Sequence, residues 1–182
     1  LPELVAARRD RRSLNIWSAA CSTGQEAYSI AMTLKDAFPE VLGWPVSITG
    51  TDLSRPVVER AQKALFTQLD VNRGLPAAML LKCFDREGRF FRLKKELRDI
   101  VQFSQLNLLH GWSAVPRPDV VFMRNVLIYF DLQTKRRLLA RVYDQLPHDG
   151  VLFLGTAETT LNVDERWEPV TFRRTTYFRK RS

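Results

Sequence analysis

Residues Ile16 to Gly24 read I-W-S-A-A-C-S-T-G and run directly into Gln25-Glu26-Ala27-Tyr28-Ser29-Ile30-Ala31-Met32. An apolar run that breaks into small residues, ends in one glycine and resumes at helical period is a strand, a tight turn and a helix N-terminus. Nucleotide-holding α/β sheets are built from that unit. The turn lacks the G-x-G-x-x-G spelling of a dinucleotide cradle, with Ala20 and Ser22 standing where glycines would. Ordinary dihedrals are therefore expected at both, with side chains small enough for a ligand to approach the backbone. The helix opens with Gln25-Glu26, and an acidic first turn suits the helix dipole while disfavouring a phosphate. The expected ligand is a nucleoside without phosphate, carrying a cationic group that Glu26 can meet. A second reading, in which Glu26 only decorates the helix start, stands beside it.

The same alternation continues along the chain. Leu14 to Ala20 reads as a strand and Gly24 to Phe38 as a helix that Pro39 stops; Pro45 to Thr51 is a second strand ending at Asp52. Leu53 to Leu65 follows as a helix, with Ser54 as its N-cap and Pro56 in its first turn. Between Thr67 and Asp99 the rhythm pauses. A helical patch, Ala77 to Cys83, precedes aromatic residues on both sides of Asp85-Arg86-Glu87-Gly88, the pattern of an inserted β-hairpin or of a long connection. Strands then recur at Ile100 to Phe103, Asp119 to Met123 and Val151 to Leu154, with an amphipathic helix over Asp131 to Leu146. Pro169 to Phe172 and Thr176 to Arg179 form a closing antiparallel pair. The fold class is α/β, a mostly parallel sheet with helices on both faces and a small inserted β-subdomain.

In such a sheet ligands sit at the carboxyl ends of the strands, beside the topological switch. Glu26, Asp52, Asn107, Arg124-Asn125 and Gly155-Thr156 all fall there. Asp52 lies 28 residues after Gly24 at a strand end, where a carboxylate accepts hydrogen bonds from both ribose hydroxyls. Its other reading is a helix cap, a task that Ser54 can take over.

With 182 residues the chain has the length of one domain with its own core. The two cysteines, Cys21 and Cys83, have no ligand-like spacing to His110 or His148, so no metal and a reducing, cytoplasmic setting are expected. No apolar run approaches the roughly 20 residues of a membrane span. The net charge of +8 is dispersed over Arg8, Arg9, Arg11, Arg12, Lys94, Lys95, Arg136, Arg137, Arg173, Arg174, Arg179, Lys180 and Arg181. It reads either as solvated surface with general steering or as a docking face for an acidic partner; no stacking aromatics interleave it as nucleic-acid recognition would require. Leu1 in place of Met reads as a fragment or processed product.

Six stretches occur in order: W-S-A-A-C-S-T-G-Q-E-A-Y-S-I-A-M, T-G-T-D-L-S, R-G-L-P, N-L-L, F-M-R-N-V-L-I-Y-F-D and L-F-L-G-T-A-E-T. Together, from about Leu14 onward, the chain resembles the CheR-type chemoreceptor glutamate methyltransferases. The resemblance implies a Rossmann-like class I fold and methyl transfer from S-adenosylmethionine to glutamate side chains on the cytoplasmic domain of chemoreceptors, with S-adenosylhomocysteine as product. It implies cofactor contacts at Ala20, Glu26, Asp52, Asn107, Leu108, Arg124 and Asn125, and a catalytic Tyr129 facing the methyl and the incoming carboxylate. Aromatic packing is the competing reading of Tyr129. It further implies an upstream helical domain with an F-F-R-like motif, residues 1–13 being the linker from it and 14–182 the methyltransferase domain, and an Arg89-Phe90-Phe91-Arg92 edge that either adds a receptor C-terminal peptide as a strand or packs on the receptor's acidic helical bundle. Gln25 and Ala27 depart from the Glu and Pro common in the family. Two other functions remain on sequence alone, a nucleic-acid methyltransferase of the same fold and a cofactor-binding scaffold without turnover.

Overall fold

The computed structural model describes residues 2–173 and 175–181. Leu1 of the expected linker, Arg174 of the basic tail and Ser182 at the domain end lie outside the described residues. The main sheet has seven strands in the order β6-β2-β1-β7-β8-β10-β9. These are β1 (Leu14–Ala19), β2 (Val46–Asp52), β6 (Val101–Gln105), β7 (Val120–Met123), β8 (Val151–Leu154), β9 (Trp167–Phe172) and β10 (Thr175–Lys180). The first five run parallel; β10 is antiparallel to β8 and to β9. The chain winds outward from β1 through β2 to β6, then returns to β7 on the other side of β1. The crevice for a ligand therefore opens between the carboxyl ends of β1 and β7.

Strand periodicity divides the core in two. Leu14 and Ile16 of β1 and Val120 of β7 point to one face, where α2 (Gln25–Ala37) lies; Trp17, Ala19, Val121 and Met123 point to the other, under α7 (Leu132–Gln145). Both faces being covered, β1 is buried at almost every position. α2 buries Ala27, Tyr28, Ile30, Ala31, Met32 and Leu34 and ends before Pro39. α7 starts at Asp131, whose carboxylate accepts the Thr134 N–H at 2.8 Å, and its buried Thr134, Leu138, Leu139 and Val142 lie on one stripe.

Residues of the expected linker include α1 (Pro2–Ala7), a short helix with Leu4 and Val5 buried in the core. Just beyond it Arg8 donates to Asp119 at 2.9 Å and to Asp149 at 2.7 Å, pinning this segment to the amino-terminal ends of β7 and β8.

α3 (Arg55–Lys63) is shorter than the sequence predicts, because the chain turns at Ala64 (φ +49°) and Leu65 opens another strand. That strand, β3 (Leu65–Thr67), joins β4 (Phe84–Glu87) and β5 (Phe90–Leu93) in an antiparallel sheet of order β3-β5-β4, flanked by α4 (Gln68–Val71), α5 (Ala77–Cys83) and α6 (Lys95–Arg98). Two expectations are corrected here. Asp85 to Glu87 are strand, and the reversal falls on Gly88-Arg89, where Gly88 takes φ +61°; burying Phe84 opposite Leu93 sets this register. The Arg89 to Arg92 segment is no edge, since β5 is paired on both sides; the open edge of the hairpin is β4. Edge-on contacts of Phe66 with Tyr28 and with Phe84, centroids 6.0 and 5.9 Å apart, join this subdomain to α2.

Candidate active site

Between Ala19 and Gln25 the chain makes three left-handed turns, at Ala20 (φ +55°), Ser22 (φ +51°) and Gly24 (φ +92°). The ordinary dihedrals expected at Ala20 and Ser22 are thus corrected. Such a conformation costs an L-residue about 1–2 kcal/mol, and neighbouring groups hold it: Cys21 N–H donates to Thr51 O at 2.8 Å, Ser22 N–H to Asp52 Oδ2 at 2.9 Å, and Gly24 N–H to Cys21 O at 3.1 Å. At Gly24 a Cβ would also meet Ala61 and Phe103 at 3.0 Å, so this position needs glycine for both space and dihedral. The loop folds across the end of β2 and delivers the first turn of α2 to the crevice.

Asp52 combines the two roles read for it. Ser54 occupies the N-cap position of α3, but its hydroxyl makes no capping bond, which corrects the expectation that it frees Asp52. Asp52 Oδ1 accepts the Ser54 N–H at 3.0 Å while Oδ2 takes Ser22. A carboxylate has about four acceptor sites, so one remains on each oxygen, enough for a pair of adjacent hydroxyls.

Across the crevice Glu26 accepts from Ser18 Oγ at 2.7 Å through one oxygen and from Arg124 Nη1 at 3.1 Å through the other. The ion pair spans 98 positions of sequence and ties α2 to the end of β7. Glu26 is therefore more than decoration of the helix start. Cys21 lies beneath, and burial, with the charges of Asp52 and Glu26 adding to it, pushes its thiol up to about 12. It stays protonated at neutral pH and is no nucleophile.

Beyond β6, Asn107 Oδ1 accepts the Leu109 N–H at 2.9 Å. The Leu108 side chain is buried with Trp112, so this residue offers the crevice backbone only. Its carbonyl accepts from Trp112 Nε1 at 3.0 Å and from Arg141 Nη1 at 2.8 Å, while among the described residues its N–H has no protein acceptor. Arg141 of α7 also lies over the Trp112 ring, 3.8 Å from its centroid. No sequence signal singled out Arg141, one arginine among several on an amphipathic helix.

Asn125 follows Arg124 with φ +58°, and Leu127–Tyr129 form one 3-10 turn. Tyr129 is 78% exposed, so its ring is not a core aromatic. Sequence reasoning also passed over Glu158, which accepts the N–H groups of Asn125 and Gly155 at 2.7 and 2.6 Å and of Ile128 at 3.3 Å. The available signal was an acidic residue three positions after a strand-end glycine. Ala20, Glu26, Asp52, Asn107, Leu108, Arg124, Asn125 and Tyr129 thus all lie at the carboxyl ends of β1, β2, β6 and β7. Within the set, the side-chain hydrogen bond among the described residues is that of Glu26 with Arg124.

The family described as "CheR methyltransferase, SAM binding domain" matches residues 1–176. Chemotaxis protein methyltransferase 1 of Pseudomonas aeruginosa is 39% identical over 174 residues, 93% of this chain and 63% of that protein. The chemotaxis protein methyltransferase of Escherichia coli K12 is 38% identical over 168 residues, 88% of this chain and 57% of that protein. The chain therefore spans less than two thirds of the length of these curated relatives. Among solved structures it is similar to a TehB-like SAM-dependent methyltransferase from Corynebacterium glutamicum, with a TM-score of 0.55, 15% identity, and coverage of 98% of this chain and 86% of the other. A second, magnesium protoporphyrin IX methyltransferase from Synechocystis, gives a TM-score of 0.51 at 16% identity, covering 100% and 76%. At these identities the structural likeness establishes the class I methyltransferase fold alone.

Proposed function

Because this chain belongs to the CheR methyltransferase family, we propose that it methylates glutamate side chains on the cytoplasmic domain of bacterial chemoreceptors, using S-adenosylmethionine and giving glutamyl methyl esters. The observation that carries the reading is that the Glu26–Arg124 pair and the doubly anchored Asp52 converge on the carboxyl ends of the neighbouring strands β2, β1 and β7. The donor set fits the cofactor. Asp52 keeps a free acceptor site on each oxygen for the ribose, Glu26 supplies a carboxylate for the cationic methionine part, and the Leu108 N–H, without a protein acceptor among the described residues, is left for the adenine. Ala20 is the small residue beneath the ligand, with Arg124, Asn125 and Asn107 lining the rest.

When bound, S-adenosylmethionine supplies an electrophilic methyl group. The acceptor glutamate, with an ordinary pKa near 4.3, is already ionised at neutral pH, so no side chain of the protein has to remove a proton. What the residues contribute is alignment and exclusion of water around the carboxylate, effects worth roughly 7–11 kcal/mol in well-oriented pairs. Tyr129, at the mouth, orients the carboxylate by a hydrogen bond.

The open β4 edge accepts a receptor peptide by strand addition. The proposed substrate, the cytoplasmic domain of chemoreceptors, places the protein in the cytoplasm. The test is incubation of the whole protein with tritiated S-adenosylmethionine and receptor cytoplasmic fragments. Base-labile methanol release supports the reading. Label entering RNA in a salt-sensitive manner would favour the nucleic-acid enzyme, and cofactor binding without turnover would favour a scaffold.

A further inference from the structure

The segment from Arg124 to Tyr129 carries three of the proposed site residues, yet it belongs to no strand and its only regular part is the turn at Leu127–Tyr129. Asn125, left-handed at φ +58°, is not held there by sheet pairing. One side chain from beyond β8 takes that place. Glu158 Oε2 accepts the Asn125 and Gly155 N–H groups at 2.7 and 2.6 Å, and Oε1 accepts the Ile128 N–H at 3.3 Å. The carboxylate thus joins the end of β8 to two points on the segment that leaves β7.

We infer that Glu158 is a positioning residue, a clamp whose carboxylate holds the Arg124–Tyr129 segment over the cleft so that Arg124 reaches Glu26 and Tyr129 faces the acceptor. Three of its roughly four acceptor sites are taken by backbone N–H groups, which leaves it unsuited to act as a base or to hold a ribose. Charge-assisted bonds to backbone amides are the stronger kind, suited to stabilising a left-handed residue. Gly155 is an independent mark of the same device. A Cβ there would lie 2.7 Å from Glu158 Oε2, 2.8 Å from Asn125 Nδ2 and 2.9 Å from the Asn125 backbone N, so any larger residue drives the clamp apart.

The effect on turnover rests on the methyltransferase reading; the effect on the backbone does not. The test uses the whole protein and measures amide exchange at Asn125, Gly155 and Ile128, S-adenosylhomocysteine affinity, and kcat and KM for receptor. Glu158→Ala is expected to accelerate exchange at all three amides about tenfold or more, and to lower affinity and kcat about tenfold each. Glu158→Gln retains one oxygen for Asn125 and Gly155 but turns a donor toward Ile128. Its exchange rises at Ile128 alone, affinity stays within about threefold, and kcat falls. Gly155→Ala, which keeps the carboxylate, reproduces the Glu158→Ala pattern and serves if that variant does not fold. Unchanged amide protection in Glu158→Ala, or equal damage in Glu158→Gln and Glu158→Ala, overturns the clamp. Loosened amides in a protein whose wild type makes no methyl ester support the clamp and count against the methyltransferase reading instead.

Discussion

Replacing Asp52 by Asn changes one atom and tests the site most directly. In the wild type each oxygen holds one backbone amide, Ser22 on Oδ2 and Ser54 on Oδ1, at 2.9 and 3.0 Å. Asparagine has a single acceptor oxygen, so whichever way it sits its NH2 group confronts one of those two N–H donors. In the free protein that edge is open to water, which replaces the lost bond, and the expected destabilisation is about 1 kcal/mol, a Tm decrease of about 2–4 °C for a chain of this size. Ligand binding suffers more, since one ribose hydroxyl loses its acceptor and the other loses the charge. A charge-assisted bond contributes about 1.5–3 kcal/mol, so the Kd for S-adenosylhomocysteine rises between about 10-fold and 150-fold. Calorimetry on the whole protein measures it, with an analogue lacking both ribose hydroxyls as the second axis of a cycle. Wild type and Asp52→Asn are expected to bind that analogue equally. A Kd within threefold of wild type for the natural ligand, in a variant that keeps its fold, refutes the ribose assignment.

Three further outcomes are expected. Tyr129→Phe, at an exposed position, leaves stability within about 0.5 kcal/mol and cofactor affinity unchanged but slows methyl transfer about tenfold, the loss of one hydrogen bond; full rate would remove Tyr129 from the mechanism. Burial raises the Cys21 thiol from an ordinary value of 9.0 and the Tyr28 hydroxyl from 10.0, each to about 12. The unfolded chain therefore sheds these protons first, and stability present below pH 9 falls by about 1.4 kcal/mol per unit from the thiol as pH rises toward 12, with Tyr28 adding the same slope above 10. Urea unfolding at pH 8 and 10.5 measures this, and Cys21→Ala should flatten it; stability constant with pH would be contrary. Arg8→Ala removes one of the three groups bonded to the Asp119 carboxylate, whose side chain is 2% exposed; Arg11 and the Asn15 N–H remain, so the cost is about 1.5–3 kcal/mol. The Arg8 guanidinium also holds the Asp149 carboxyl below its ordinary value, so this contribution is present above the usual carboxylate range and lost as pH falls through the lowered value; Asp149→Asn should remove that part of the acid-side decline.

Much of this architecture was legible because hydrophobic period reports which faces are covered. Leu14, Ile16, Trp17 and Ala19 alternate between two cores, and that alternation is written in the strand itself. The polar residues that end strands were likewise readable, since in a doubly wound sheet every such residue near the switch converges on one crevice. What escaped was set by partners far along the chain. α3 stops at Lys63 because Phe66 fills space against Tyr28 and Phe84, residues from two other elements. The hairpin reverses at Gly88-Arg89, with Asp85 to Glu87 in the strand, because a buried Phe84 faces Leu93 across the strands.

The site divides along the same line. Glu26, Asp52 and Arg124 were legible as charges at or just beyond strand ends, with a helix-start reading beside the first and a helix-cap reading beside the second. The left-handed backbone at Ala20, Ser22 and Asn125 was not, because none of these residues prefers that conformation as glycine does; Thr51 O, the Asp52 carboxylate and the Glu158 carboxylate impose it. Both carboxylates work by the same means, accepting N–H groups from a strained loop, and they differ in what is left over. Asp52 retains one acceptor site on each oxygen and sits at the end of β2, so it can serve loop and ligand together. Glu158 has three amides on two oxygens and no such surplus, so its influence on chemistry runs through the backbone it holds. A residue of that kind shows in a sequence only as an acidic position after a glycine, and it becomes intelligible when the strand ends it joins are seen side by side.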